Sequence, residues 1–200
     1  MKKFLIFFSF VCAAFAPIFS HAAGIRAKAE KVKPEISVKI DEGQPRYLYK
    51  DKVIRCAHLG HADGCTRASI YAQIHSVELT PDGALKKLSL QIGLKDVEIE
   101  LSSELEKGSC FFDVALKHEL THLALHRKIV KRFATEIAKA VLSVAETMPS
   151  PITQAQFNRI GSILNNYVNR MMEENGKQNA LIDSDNAYLY QWKQCLGREK

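Results

Sequence analysis

The sequence predicts an α+β fold in which strands come first and helices follow, and three observations carry that reading. Up to Leu101 the apolar residues alternate with polar ones in short runs, the period of half-buried strands. From Phe111 to Met148 there is neither Gly nor Pro, and Leu116, Leu120, Leu123, Val130, Ala134, Ile137, Val141 and Val144 recur at helical spacing, the stripe of an amphipathic helix. Pro149-Ser150-Pro151 stops that helix, and a second helical stripe follows it.

Met1-Lys2-Lys3, the apolar run from Phe4 to Ile18 and the small residues of Ser20-His21-Ala22 match the three regions of a signal peptide, so residues 1–22 are expected to be cleaved from an exported protein of bacterial type. The apolar run is shorter than the ~20 residues of a spanning helix. Val11 stands where a lipoprotein signal around Cys12 needs a small residue, and no later segment is apolar enough to span a bilayer. Residues 23–200 are then expected to form a single domain, with 23–35, rich in Ala and Lys, as a flexible lead-in. Short strands are expected at Ile36–Ile40, Tyr47–Ile54, Ile70–Leu79 and Leu88–Ile92, with Pro81-Asp82-Gly83 as a turn between two of them. Val97–Leu101 alternates apolar with acidic residues and reads as an edge strand whose open face carries Glu98 and Glu100. Beyond the first helix, Thr153 and Gln156 form a capping-box start. The second helix puts Phe157, Ile160, Leu164, Tyr167, Val168 and Met171 on one face. Asn175-Gly176 is expected to break it, and Asp185 to cap a last helix reaching about Cys195.

Losing Lys2 and Lys3, with no acid, takes the formal charge from +6 to +4. The basic residues are scattered without an aromatic platform, which argues against nucleic-acid binding. Four cysteines remain after cleavage, an even number that reads as two disulfides in an exported chain. Cys56 and Cys65 close a short loop, which leaves Cys110 to pair with Cys195.

His118-Glu119-Leu120-Thr121-His122 is the motif that carries chemistry. Residues i and i+4 share a helix face, so His118 and His122 can bind one Zn²⁺. Glu119 lies about 100° round the helix, placed to take a proton from a zinc-bound water whose pKa the metal lowers to roughly 7. His126 extends the row, but ~12 Å of helix rise separates it from His118, against Zn–N bonds of ~2.0–2.1 Å. It therefore reads as a neighbour of the site or an exposed residue.

A catalytic zinc needs a third protein ligand. An antiparallel helical hairpin centred near Ser150 sets His118 opposite position 182, His122 opposite 178 and Cys110 opposite 190, near Cys195. This brings Asp183 and Asp185 beside the histidines and leaves Glu173 and Glu174 within a few residues' slip. Glu136 and Glu146 fall too far along the first helix.

The HExxH helix resembles that of the zincin metallopeptidases, and Asp185-Asn186-Ala187-Tyr188 resembles the Asp-x-x-Tyr element of the aspzincin branch. The resemblance implies a zincin-like fold, Asp185 as the third zinc ligand and Tyr188 as donor to the oxyanion. The Gly-Thr before that Asp and the Gly after that Tyr are missing here, so Asp183 and Tyr190 stand as alternatives. Over roughly residues 97 to 195 the chain also resembles a group of small secreted bacterial proteins read as zinc proteases.

Other candidates are weaker. His58 and His61, with Asp63, could hold a second metal but fit solvated loop residues better. His75 reads as structural. Zincins commonly bind the substrate backbone as an added strand, a use that Val97–Leu101 would suit. The expected function is an exported zinc metallopeptidase acting on peptide or protein substrates. The alternative is a non-catalytic envelope protein that binds metal or a partner through the hairpin.

Overall fold

The structure is a computed structural model that describes residues 32–51, 63–184 and 186–198, apart from the side chains of Ala187, Tyr188, Gln191 and Arg198. Four strands, β1 (Glu35–Asp41), β2 (Arg46–Lys50), β3 (Gly64–Leu79) and β4 (Leu85–Ser102), precede α1 (Cys110–Ala145), α2 (Gln154–Ser184) and α3 (Asn186–Arg198). The strands-then-helices order of the sequence is therefore present. The expected signal peptide and most of the lead-in lie outside the described residues, as do Cys56, His58 and His61.

β4 is the centre of the sheet. β3 pairs with it antiparallel along its length, while β1 and β2 lie end to end along its other side, both parallel to it. The two runs Leu88–Ile92 and Val97–Leu101, which the sequence separates, belong to this one strand. Its apolar phase resets between Leu94 and Val97, where β4 carries one more residue than β3 and Asp96 has φ 52°. Such a bulge absorbs the extra residue, so Leu88, Leu90, Ile92, Val97, Ile99 and Leu101 are all buried in one core.

This placement corrects the expectation that Val97–Leu101 is an edge strand with an open acidic face. Glu98 pairs with Arg46 and Arg67, and Glu100, 1% exposed, lies between Lys50 and Arg67. The cations come from the strands on both sides, which only a central strand has. Burial pushes the Glu100 carboxyl up, but Lys50 and Arg67 outweigh it and hold it below the usual carboxylate range. His75 sits exposed at a second register shift, in β3.

The helices cover one face of the sheet. α1 starts at Ser109, whose hydroxyl accepts from the Phe112 N–H at 3.2 Å, satisfying one of the orphan donors of a helix start. It buries Ile129, Val130, Phe133, Ile137 and Val141 against the strands and α2, and α2 answers with Ile160, Leu164 and Met171. Gln156 accepts the Thr153 N–H, half of the expected capping box. α2 runs unbroken through Asn175-Gly176, contrary to the expected break. One Gly lowers helix propensity by only ~1 kcal/mol, and the ion pairs Arg132–Glu174 and Arg170–Glu136 tie α2 to α1. At the hairpin turn, Ile152 N–H donates to the Gly83 carbonyl at 2.9 Å and Ser150 Oγ donates to the Asp82 carbonyl at 2.9 Å. The β3–β4 turn thus anchors the α1–α2 turn.

β1 ends in close contact with β4, where a side chain on Gly93 would collide with the Asp41 carbonyl. Gly93→Ala is expected to lower the free energy of unfolding by about 2–3 kcal/mol, read from the urea midpoint. An unchanged midpoint would show that β1 does not press on β4 there.

Candidate metal centre

The centre is built where α1 and α2 pass near their open ends. Each step of four along α1 is matched by a step of four back along α2, so His118 meets Asp183 and His122 meets Asn179. His118 Nε2 lies 3.3 Å from Asp183 Oδ1, His122 Nε2 lies 2.9 Å from the same oxygen, and the two imidazole nitrogens are 3.1 Å apart. The three residues form a group that could hold a metal ion.

His122 donates its Nδ1 proton to Asn179 Oδ1 at 2.7 Å, so in the neutral ring the lone pair is on Nε2, inside the triangle. Asn179 thereby acts on His122 as outer partners act on metal-binding histidines, fixing tautomer and ring orientation. Burial and the neighbouring His122 push the His118 imidazole below its ordinary pKa, against the pull of Asp183. In the tautomer that turns the His118 Nε2 lone pair inward, two imidazole nitrogens and a carboxylate oxygen meet at one point and repel one another unless a proton or a cation lies between them. A tetrahedral ion with bonds of ~2.0–2.1 Å spaces its ligands by ~3.3–3.4 Å. The observed separations come close to that face, and the residues fit a small divalent ion.

The Glu119 side chain lies against the start of β3, close enough to His122 and Asp183 to feel their charges. Gly64 has no side chain there, and a Cβ on it would lie 2.7 Å from Glu119 Oε1. Thr66 Oγ1 donates to the Glu119 main-chain carbonyl at 2.9 Å, locking β3 to this turn of α1. Burial raises the Glu119 carboxyl above the usual carboxylate range, against the hydrogen bonds from Thr66 and the charge of His122.

The remaining candidates separate clearly. Asp185 lies outside the described residues, and the group described here is completed by Asp183, the alternative that the hairpin count allowed. Glu173 pairs with Lys177 and Glu174 with Arg132, so neither belongs to the triangle. Glu136 pairs with Arg132 and Arg170, and Glu146 with Lys33, farther along α1. Tyr188 lies on α3 with its side chain outside the description, and Tyr190 on the same helix is exposed. His126 is 5% exposed, which rules out the exposed alternative, and its Nδ1 has no hydrogen-bond partner among the described residues. Cys110 and Cys195 form the expected disulfide, with Cα atoms 5.5 Å apart. Cys65 is also disulfide-bonded, while its expected partner Cys56 is outside the description. Sequence reasoning missed Asn179, one position from the count, and Gly64 and Thr66, for which no signal exists.

No family model matches the chain, and no curated protein and no solved structure matches it either.

Burial, and then the charge of His122, push His126 down to about 4. The unfolded imidazole takes up a proton near pH 6.5 and the folded one only near 4, so stability falls as pH drops between those values. His126→Gln should remove about 2 kcal/mol of the loss seen between pH 7.5 and 5. Unfolding curves at the two pH values check this, and equal losses in both proteins would show that His126 is solvated.

Proposed function

We propose that this chain is an exported zinc-dependent metallopeptidase. The observation that carries the proposal is the convergence of His118 Nε2, His122 Nε2 and Asp183 Oδ1 at 2.9–3.3 Å, with the buried Glu119 next to His118 on the same helix. Two imidazoles and one carboxylate form a donor set of the zinc type, one that leaves room for a fourth ligand. When bound, zinc acts as a Lewis acid and lowers the pKa of a coordinated water to about 7.

The protein's own groups supply the rest of the proposed mechanism. Glu119, with a carboxyl raised by burial, is suited to take a proton from the attacking water and return it to the leaving amine. β3 replaces Val97–Leu101 as the strand for substrate, because among the described residues it pairs with β4 alone and passes Glu119 at Gly64 and Thr66. An extended peptide added there would gain main-chain hydrogen bonds with little demand on sequence. A groove of about 310 Å³ between Ala68–Ile70 and Met172–Gly176 leaves space for a side chain of that peptide. Tyr188 and Tyr190 are the candidate oxyanion donors, both on α3. Export is supported by the signal-like N-terminus and by the disulfides, which persist in oxidising compartments. No helix among the described residues is long and apolar enough to cross a membrane.

Metal analysis of protein never exposed to chelator should find about one zinc per chain, and His122→Ala or Asp183→Ala should lose it. Wild-type protein without stoichiometric metal would sink the proposal. Glu119→Gln should keep the zinc while lowering peptidase activity by about 10²–10⁴-fold. A metal-loaded protein with no peptidase activity on any casein or peptide-library substrate would favour the non-catalytic envelope role.

A further inference from the structure

Asp183 is the least firmly held member of the triangle. It is 61% exposed, and it sits midway in sequence between Met171 and Cys195. Beyond Met171 no described side chain of α2 is buried, and on α3 Cys195 alone is. The arm from residue 172 to 198 is therefore fastened to the core at two ends. One end is the apolar packing at Met171, and the other is the Cys110–Cys195 bond, with Phe111 and Trp192 in aromatic contact beside it at 4.6 Å. Between them the described contacts to α1 are polar: Arg132 with Glu174, His122 with Asn179, and Asp183 with the two histidines.

Polar contacts at a half-exposed surface hold a helix weakly, because each competes with water. Cutting the far fastening would leave the arm free to swing about Met171, and Asp183 would face the histidines for only a fraction of the time. A ligand whose site is assembled for a fraction f of the time binds more weakly by that fraction.

We propose that formation of the Cys110–Cys195 disulfide assembles the metal centre, so that the chain binds zinc tightly in the disulfide form and weakly as the dithiol. The proposal rests on the metal-binding part of the function above. The bond forms by exchange with a disulfide oxidant. One cysteine thiolate attacks the oxidant and makes a mixed disulfide, and the second thiolate then displaces the oxidant's remaining sulfur. Cys110 and Cys195 give up two protons and two electrons, and the oxidant leaves as two thiols. A newly made chain in a reducing compartment would hold an open, inactive centre, and export into an oxidising one would close it. Linkage requires the converse: zinc stabilises the disulfide by the same factor by which the disulfide tightens zinc.

The test compares oxidised wild-type protein with the Cys110→Ser, Cys195→Ser double variant, each titrated with zinc against a chromophoric chelator. The variant is expected to bind zinc at least ~10-fold more weakly, with its far-UV circular dichroism retained. In a second measurement, oxidised wild type is treated with a phosphine reductant, with and without zinc, and free Cys110 and Cys195 are counted by alkylation and mass spectrometry. Zinc should slow their release several-fold, and this readout decides the matter if the variant does not fold. A folded variant that binds zinc within twofold of wild type would overturn the coupling, as would a release rate indifferent to zinc. Wild-type protein that binds no zinc would instead bring down the metal centre itself, and the coupling with it.

Discussion

Everything at the candidate centre depends on the register between α1 and α2. Near the hairpin turn the seam is apolar, with Ile160, Leu164 and Met171 of α2 buried in the same core as Val141, Ile137 and Val130 of α1. Toward the open end it becomes polar, with His122 against Asn179 and His118 against Asp183. The apolar part sets the register that the polar part uses. A one-residue slip turns a helix by about 100°, so it would replace Asn179 by a neighbour that no longer faces His122. Burying a Leu or Ile side chain is worth about 1.5–3 kcal/mol, whereas an exposed polar contact is worth ~1 kcal/mol or less. The core therefore imposes the geometry, and the site inherits it.

That division explains what was legible in the sequence. The hairpin could be counted because Pro149-Ser150-Pro151 marks its centre and both helices carry clear stripes. The count placed positions 182 and 178 opposite the histidines, and the structure has Asp183 and Asn179, each one position further on. It reaches the Cys110–Cys195 pairing by the same arithmetic. Such a count fixes a turn of helix and not a residue, so it could not decide between Asp183 and Asp185 by itself. The resemblance to an Asp-x-x-Tyr element drew the choice toward Asp185, which lies outside the described residues.

The sheet was less legible, for a different physical reason. Strand periodicity reports which face is buried, and it says little about which strands are neighbours. Val97–Leu101 alternates apolar with acidic residues because its second face is polar, not because it lies at an edge. Glu98 and Glu100 are met by Arg46, Lys50 and Arg67 from two flanking strands, partners remote in sequence. The bulge at Asp96 broke the alternation and made one strand look like two. Gly64 and Thr66 show the same limit, since their value to Glu119 exists only once β3 is laid beside α1.

The site also shows how a fold can carry groups that do not stabilise it. Among the described residues the buried His126 Nδ1 has no hydrogen-bond partner, nor has the buried Asn175 Oδ1 on the facing helix. A buried polar atom left unsatisfied costs roughly 1–3 kcal/mol. Two imidazoles and a carboxylate held within hydrogen-bond distance add mutual repulsion whenever neither proton nor cation separates them. These unfavourable terms collect at the open end of the hairpin, away from the apolar layers that anchor the turn. An ion bound by His118, His122 and Asp183 would relieve the repulsion and join α1 to the arm, stabilising the folded form by RT ln(1 + [L]/Kd). The least stable end of the fold is then the end whose stability a ligand can control.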